Sequence, residues 1–398
     1  MKKIYYGRAV YDHNEINAVL KVLKNNSLSL TDGKNVKELE RIFSKMFGKK
    51  YGLMVNSGSS ANLLGLASFN FKKGSEIITP NLTFSTTIAP IYQLGLIPHF
   101  IGVEKNKFVA DVNHIEKCIN KKTVAIMIPN LLGNIANWVK ISKIAKKYKL
   151  KVFEDSADTV GYSLNKKNTG KYSDIVTNSF YASHIINGGG TGGIVCFNDY
   201  KLYQKAKLLR GWGRSSAIFN ESENIDKRFN IKISGINYDA KYVFSEMGYN
   251  FLPSEISAAF ALEQLKKLGD NIKIRNRNFT KLHSFFGKYK KMFNLPEMYP
   301  GIKTPWLAFP IVIKKNKYFD RKSLQIYLEK NKIQTRTIFT GNILKQPVMK
   351  NRKYKFYKGC NDVADDVMKN GILIGCHHGM SIADVNFICR TFQKFINK

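Results

Sequence analysis

Tyr51-Gly52-Leu53-Met54-Val55-Asn56-Ser57-Gly58-Ser59-Ser60-Ala61-Asn62 runs from a short apolar segment into a turn of small residues, and that turn opens onto the helical pattern Ala61 to Phe69. A brief apolar run closed by Asn, Ser and Gly reads as a buried strand, and the helical spacing after it reads as a helix packed on that strand. The same alternation recurs along the chain. Glu76 to Thr79, Ile97 to Val103, Val124 to Pro129, Lys151 to Glu154, Ile175 to Ser179 and Gly193 to Phe197 are further apolar runs, with helical patterns such as Val139 to Tyr148 between many of them. Strands alternating with helices predict an α/β fold with a large, mostly parallel sheet covered on both faces. After about Leu268 the order changes to long basic helical stretches with a few strands, such as Trp306 to Ile313, which predicts a smaller α+β domain. The expected division is 1–267 and 268–398.

At 398 residues, 44% hydrophobic and 23% charged, the chain has the balance of a globular protein with a sizeable core. Its net charge of +35 raises nucleic acid as a partner. The lysines, however, are scattered as doublets such as Lys72-Lys73, Lys146-Lys147 and Lys314-Lys315, with no basic arm or nucleic-acid motif. Solvated helix faces account for them, so no nucleic-acid partner is expected. Met1 to Arg8 has no apolar run after its basic residues, and Thr86 to Val103 is broken by Pro90, Gln93, Pro98 and His99. Neither a secretory signal nor a membrane span is expected, which places the protein in the cytoplasm. The five cysteines (Cys118, Cys196, Cys360, Cys376, Cys389) form no CxxC pair, so they read as buried apolar residues and no metal site is expected.

In such sheets ligands gather beyond the carboxyl ends of the strands. The turn at Gly58 and Ser59 offers free amides and the positive end of a helix to a phosphate, although Ser and Gly also make ordinary helix caps. Strand Lys151 to Glu154 runs into Asp155-Ser156-Ala157-Asp158. Asp155 at the sheet edge suits a protonated pyridine nitrogen, and it equally suits a cap. Phe84 is able to stack on a flat ring or to join the core. The glycines of Gly188-Gly189-Gly190-Thr191-Gly192-Gly193 allow backbone to approach a ligand closely.

Helix-opening turn, Phe84, Asp155, Ser179 and glycine loop, in this order, resemble the sugar aminotransferases of the DegT/DnrJ/EryC1/StrS family, which are fold-type-I pyridoxal-phosphate enzymes. Several separated segments narrow the resemblance. Phe180-Tyr181-Ala182-Ser183-His184, Trp212-Gly213-Arg214, Lys227-Arg228-Phe229, Tyr238-Asp239-Ala240-Lys241-Tyr242, Met247-Gly248-Tyr249-Asn250 and Thr335-Arg336-Thr337-Ile338-Phe339-Thr340-Gly341-Asn342 are similar to the nucleotide-4-keto-6-deoxyhexose 3-dehydratases. In that subgroup a histidine replaces the lysine that binds the coenzyme covalently, and His184 stands at that position. Imidazole cannot form the lysine's link but, with an unperturbed pKa of about 6.5, it is able to move protons.

The resemblance implies pyridoxamine or pyridoxal phosphate held without a covalent bond, and C3 dehydration of a nucleotide-linked ketosugar with His184 as the proton carrier. It assigns Gly58, Ser59 and Ser179 to the coenzyme phosphate, Asp155 to the pyridine nitrogen and Phe84 to the ring face. Tyr181 is placed on the same face. Asp158 stands where relatives often have Gln or His near the ring hydroxyl. Asn250 is assigned to the phosphate of a neighbouring subunit, which implies a homodimer with shared sites. Arg214, Arg336, Asn342 and the pair His377-His378 are candidates for the sugar or its diphosphate. Some relatives carry an iron–sulfur cluster on cysteines after Trp-Gly-Arg, whereas Ser215 to Asn224 here holds no cysteine. A cluster needs thiolates, so none is expected, and glutamate is the expected amino donor. An aminotransferase-like enzyme that stops at the amino sugar and a catalytically retired binding protein are the alternative readings.

Overall fold

The computed structural model describes residues 3–25, 29–218 and 224–397. Its strands are β1 (Tyr51–Val55), β2 (Glu76–Pro80), β3 (Ile97–Ile101), β4 (Thr123–Pro129), β5 (Lys151–Asp155), β6 (Ile175–Ser179), β7 (Gly193–Phe197), β8 (Phe293–Asn294), β9 (Phe309–Ile313), β10 (Lys355–Phe356) and β11 (Gly371–Ile374), besides a few two- and three-residue pieces. The main sheet runs in the order β1-β7-β6-β5-β4-β2-β3-β10. All its pairings are parallel except those of β7, which lies antiparallel to both β1 and β6. The reason is local. No helix crosses back between β6 and β7, so the chain returns directly and the connecting loop, which carries His184, stays at the carboxyl edge.

Continuous apolar strands follow from burial on both faces. Leu53, Val55, Ala125, Met127, Phe153, Val195 and Phe197 face one hydrophobic core, while Met54, Ile126, Ile128, Val152, Val176 and Ile194 face the other. The helix Gly58–Ser68 packs Ala61, Leu64 and Leu66 into the first core, and Trp138–Lys147 packs Trp138 and Ile141 into the second. Each fully buried Leu, Ile or Phe contributes about 1.5–3 kcal/mol.

The second sheet, β8-β9-β11, is antiparallel and shares a separate core with the helices Leu268–Gly287 and Ile382–Ile396. The two units do not divide by chain order alone. Ile4 bridges Ile333 and joins the second core, whereas β10 from the late part of the chain extends the main sheet beside β3. Among the described residues, no helix is long and apolar enough to cross a membrane.

Candidate active site

A cavity of about 410 Å³ opens at the carboxyl edge of the main sheet, where β1, β4, β5 and β6 end, and Leu307 and Phe339 close its far side. Its wall contains Gly58, Ser59, Phe84, Asp155, Asp158, Ser179, Tyr181 and His184, so eight residues singled out in the sequence meet in one place.

The helix Gly58–Ser68 points its N-terminus at this cavity. Ser57 caps it by accepting from the Ser60 amide at 3.1 Å, which leaves the amides of Gly58 and Ser59 as first-turn donors on the wall. Ser179, at the end of β6, lies against Gly58: a Cβ on Gly58 would sit 2.5 Å from Ser179 Cβ. Gly193 is equally constrained, since a Cβ there would sit 2.4 Å from the Ser57 carbonyl carbon. The glycines thus let two strand ends and a helix start pack closely together, with the first-turn amides on the wall.

Two carboxylates enter the cavity from the end of β5 in different surroundings. Asp155 Oδ2 accepts from Asn62 Nδ2 and Thr87 Oγ1, both at 2.8 Å, and its Oδ1 accepts from the Ala157 amide at 3.1 Å. Burial pushes its pKa up while these donors pull it down, and no cation among the described residues pairs with it. A buried, hydrogen-bonded anion lacking a counter-charge is a costly arrangement that a protonated ring nitrogen would complete. The residues present therefore fit the coenzyme. Asp158 has one anchor, the Leu132 amide at 2.8 Å, and burial raises its carboxyl to about 7 against that hydrogen bond.

His184 sits between these groups. Its Nδ1 lies 3.2 Å from the Ser179 carbonyl oxygen, to which it donates as the Nδ1–H tautomer, and its Nε2 lies 3.9 Å from Asp158 Oδ1. Burial depresses the imidazole to about 4, opposed by the Ser179 hydrogen bond and reinforced by the Arg275 guanidinium. The ring is therefore neutral at physiological pH, with a free lone pair on Nε2. Tyr181 meets it edge-on, with centroids 5.8 Å apart. Phe84 is half exposed on the wall and touches Phe339 edge-on at 5.9 Å.

Other sequence candidates lie elsewhere. Arg214 stacks on Trp212 at 4.3 Å, with Tyr242 and Phe244 farther out, away from the cavity. Asn250 is exposed and also off the wall. Arg336 lines an adjoining cavity that shares Tyr6, Phe84 and Phe339 with the first. Asn342 is buried and donates to Asp365 at 2.7 Å, and His377 is buried against the Tyr5 carbonyl oxygen, so internal hydrogen bonding draws both away from the wall. His378 is turned the same way and accepts from Arg275 Nε at 3.2 Å. Residues 219–223 of the cysteine-free stretch lie outside the described residues. Cys118, Cys196, Cys360 and Cys376 are buried, and burial raises each thiol.

Several site residues were not singled out in the sequence. Asn62 had a signal, being one turn into the helix that starts at Gly58. Thr87, Tyr6 and Leu132 had none, because they reach the site only through tertiary packing.

The sequence profile of the DegT/DnrJ/EryC1/StrS aminotransferase family matches residues 10–393. A dTDP-4-dehydro-2,6-dideoxy-D-glucose 3-dehydratase of Saccharopolyspora spinosa is 33% identical over 382 residues, covering 93% of this chain and 82% of that protein. A GDP-4-keto-6-deoxy-D-mannose 3-dehydratase of Escherichia coli O55:H7 is 33% identical over 394 residues, covering 96% and 97%. The crystal structure of a GDP-4-keto-6-deoxymannose 3-dehydratase with a trapped PLP-glutamate geminal diamine superposes with a TM-score of 0.87 at 30% identity, covering 98% of this chain and 99% of that one.

Proposed function

The chain belongs to the DegT/DnrJ/EryC1/StrS aminotransferase family, and from that membership we propose how its cavity removes the C3 hydroxyl of a nucleotide-linked 4-keto-6-deoxyhexose. The enzyme is a nucleotide-sugar 3-dehydratase dependent on pyridoxamine or pyridoxal phosphate. The observation that carries this reading is the wall itself, which among the described residues holds His184 and no lysine.

When bound, the coenzyme supplies an amine for the sugar's C4 ketone and a protonated ring that withdraws electrons from the reacting bonds. The protein does the rest. The amides of Gly58 and Ser59, with Ser179, receive the phosphate; Asp155 holds the ring nitrogen protonated; Phe84 covers the ring face. His184 Nε2 accepts a proton inside the cavity and returns it to the departing C3 hydroxyl, which leaves as water. Glutamate is the source of the amine and of two electrons, leaving as 2-oxoglutarate, and the sugar ends lighter by one oxygen with release of ammonia. Asn250 serves the phosphate of a second copy in a cytoplasmic homodimer, and Arg336 meets the sugar diphosphate from the adjoining cavity. Relatives act on both dTDP and GDP sugars, so the nucleotide is a matter for assay.

The test is borohydride treatment of the coenzyme-loaded protein, denaturation and mass spectrometry, followed by a panel of nucleotide 4-ketosugars with glutamate as sole reductant. An unchanged chain mass and a product one oxygen lighter are expected. A coenzyme adduct on any lysine, stoichiometric iron, or dependence on an added electron donor overturns the reading.

A further inference from the structure

Asp158 and His184 come from different loops, after β5 and after β6, yet they stand 3.9 Å apart across the same cavity wall. The approach is built into the backbone. Leu132, a buried non-glycine residue, is held at φ 62, followed by Gly133 at φ 87, and this turn aims the Leu132 amide at Asp158 Oδ2. A β-carbon residue in the left-handed region costs free energy and persists only where surrounding packing dictates it. With Oδ2 fixed, Oδ1 faces Nε2 of His184, while Nδ1 of the same ring is committed to the Ser179 carbonyl oxygen. Asp155 is already held by three donors. Asp158 is thus the carboxyl available to the imidazole.

Resting on the dehydratase reading above, we propose that Asp158 is the positioning carboxylate of His184: ionised, it meets the positive charge the ring takes on when Nε2 accepts a proton; protonated, it withdraws that counter-charge.

The groups facing the pair set its pH range. Asp155 raises Asp158, Arg275 on the helix Leu268–Gly287 disfavours the imidazolium, and Tyr6 from the N-terminal segment faces Asp158, Ser183 and Tyr181. Burial leaves the Asp158 carboxyl at about 7 and the imidazole at about 4, so the carboxyl ionises in the neutral range beside a ring that is already neutral. Below the Asp158 transition a proton added to Nε2 would create a buried cation without a partner, and the reaction slows. Above it, the carboxylate is ready.

The experiment has two arms. In the first, coenzyme-free protein labelled with ¹⁵N in its seven histidines is titrated by NMR, with the His184 ring assigned by its loss in His184→Asn. The ring shifts are expected to step near pH 7, separately from the ring's own protonation, and the step is expected to vanish in Asp158→Asn. A step that survives in Asp158→Asn, or its absence from the native protein, overturns the proposal; the native titration decides even if the variant does not fold. In the second arm, the dehydration rate is expected to lose its acid limb in Asp158→Asn, with kcat down about ten- to a hundredfold and KM little changed. An unaltered pH profile overturns the proposal. If the native protein converts no ketosugar, the dehydratase reading fails, and the first arm still decides whether the two groups are coupled.

Discussion

Replacing Gly58 with Ala tests whether the turn after β1 binds the coenzyme phosphate. The added Cβ would lie 2.5 Å from Ser179 Cβ, 2.8 Å from Ser179 Oγ and 3.2 Å from Ser179 Cα. Carbon atoms in contact prefer about 3.5–4.0 Å, so helix and strand end must separate by about 1 Å. Overpacking of this kind costs about 1–3 kcal/mol. If the phosphate needs the unshifted geometry, that cost reappears as weaker binding, about 5- to 150-fold at 1.4 kcal/mol per decade. The assay is absorbance titration of coenzyme-free protein with pyridoxal phosphate and, in parallel, with pyridoxal, which lacks the phosphate. Gly58→Ala should weaken the first and leave the second nearly unchanged. Gly269→Ala, where an added Cβ meets nothing within 4 Å, is the control and should bind both as the native protein does. Native affinity in Gly58→Ala, with the preference for the phosphate intact, would refute the assignment of Gly58, Ser59 and Ser179.

His184→Asn should retain coenzyme yet lose dehydration by at least about a hundredfold, because an amide fills the space but cannot carry a proton; a native rate would make the residue structural. Lys49 is buried, donates to the Ser173 and Asp174 carbonyl oxygens, and is held by desolvation at about 8 instead of 10.5. Its folded-state pKa is depressed, so the unfolded chain binds the proton more tightly, and the native protein gains stability as pH rises from about 8 to 10.5. The urea-unfolding free energy of the native protein should therefore rise by about 3 kcal/mol relative to that of Lys49→Met across that window, and a difference flat with pH refutes the assignment.

The strands were legible because burial on both faces leaves an unbroken apolar run, and observed limits fall close to expected ones: Ile175–Ser179 and Gly193–Phe197 match throughout, while Ile97 to Val103 shortens to Ile101. The reversed direction of β7 was not legible, since an apolar run carries no sign of direction. Gly58, Ser59, Phe84, Asp155 and Ser179 stand at strand ends or helix starts, where sequence order maps onto space, whereas Asp158, Tyr181 and His184 lie in the loops after β5 and β6 and were carried by the family resemblance. Asn342 and His377 failed to reach the wall for a different reason: a polar residue in a motif looks the same in sequence whether it faces a ligand or, as here, Asp365 and the Tyr5 carbonyl.

Charge explains why the site and the surface look so unlike each other. The chain carries +35 overall, yet the cavity wall holds Asp155 and Asp158 with no lysine or arginine among the described residues. Such a wall suits a flat ring with positive charge on its nitrogen and amine, and the uncharged amides at the helix start suit its phosphate. A positive net charge attracts anions in general, an effect screened beyond about 8 Å at physiological salt. A lysine at position 184 would bring a cation back among these carboxylates and compete for them. On the proposed roles, a neutral imidazole leaves Asp155 to the ring nitrogen and Asp158 to the charge that His184 takes on with its proton, so that the two carboxylates do not compete for one cation.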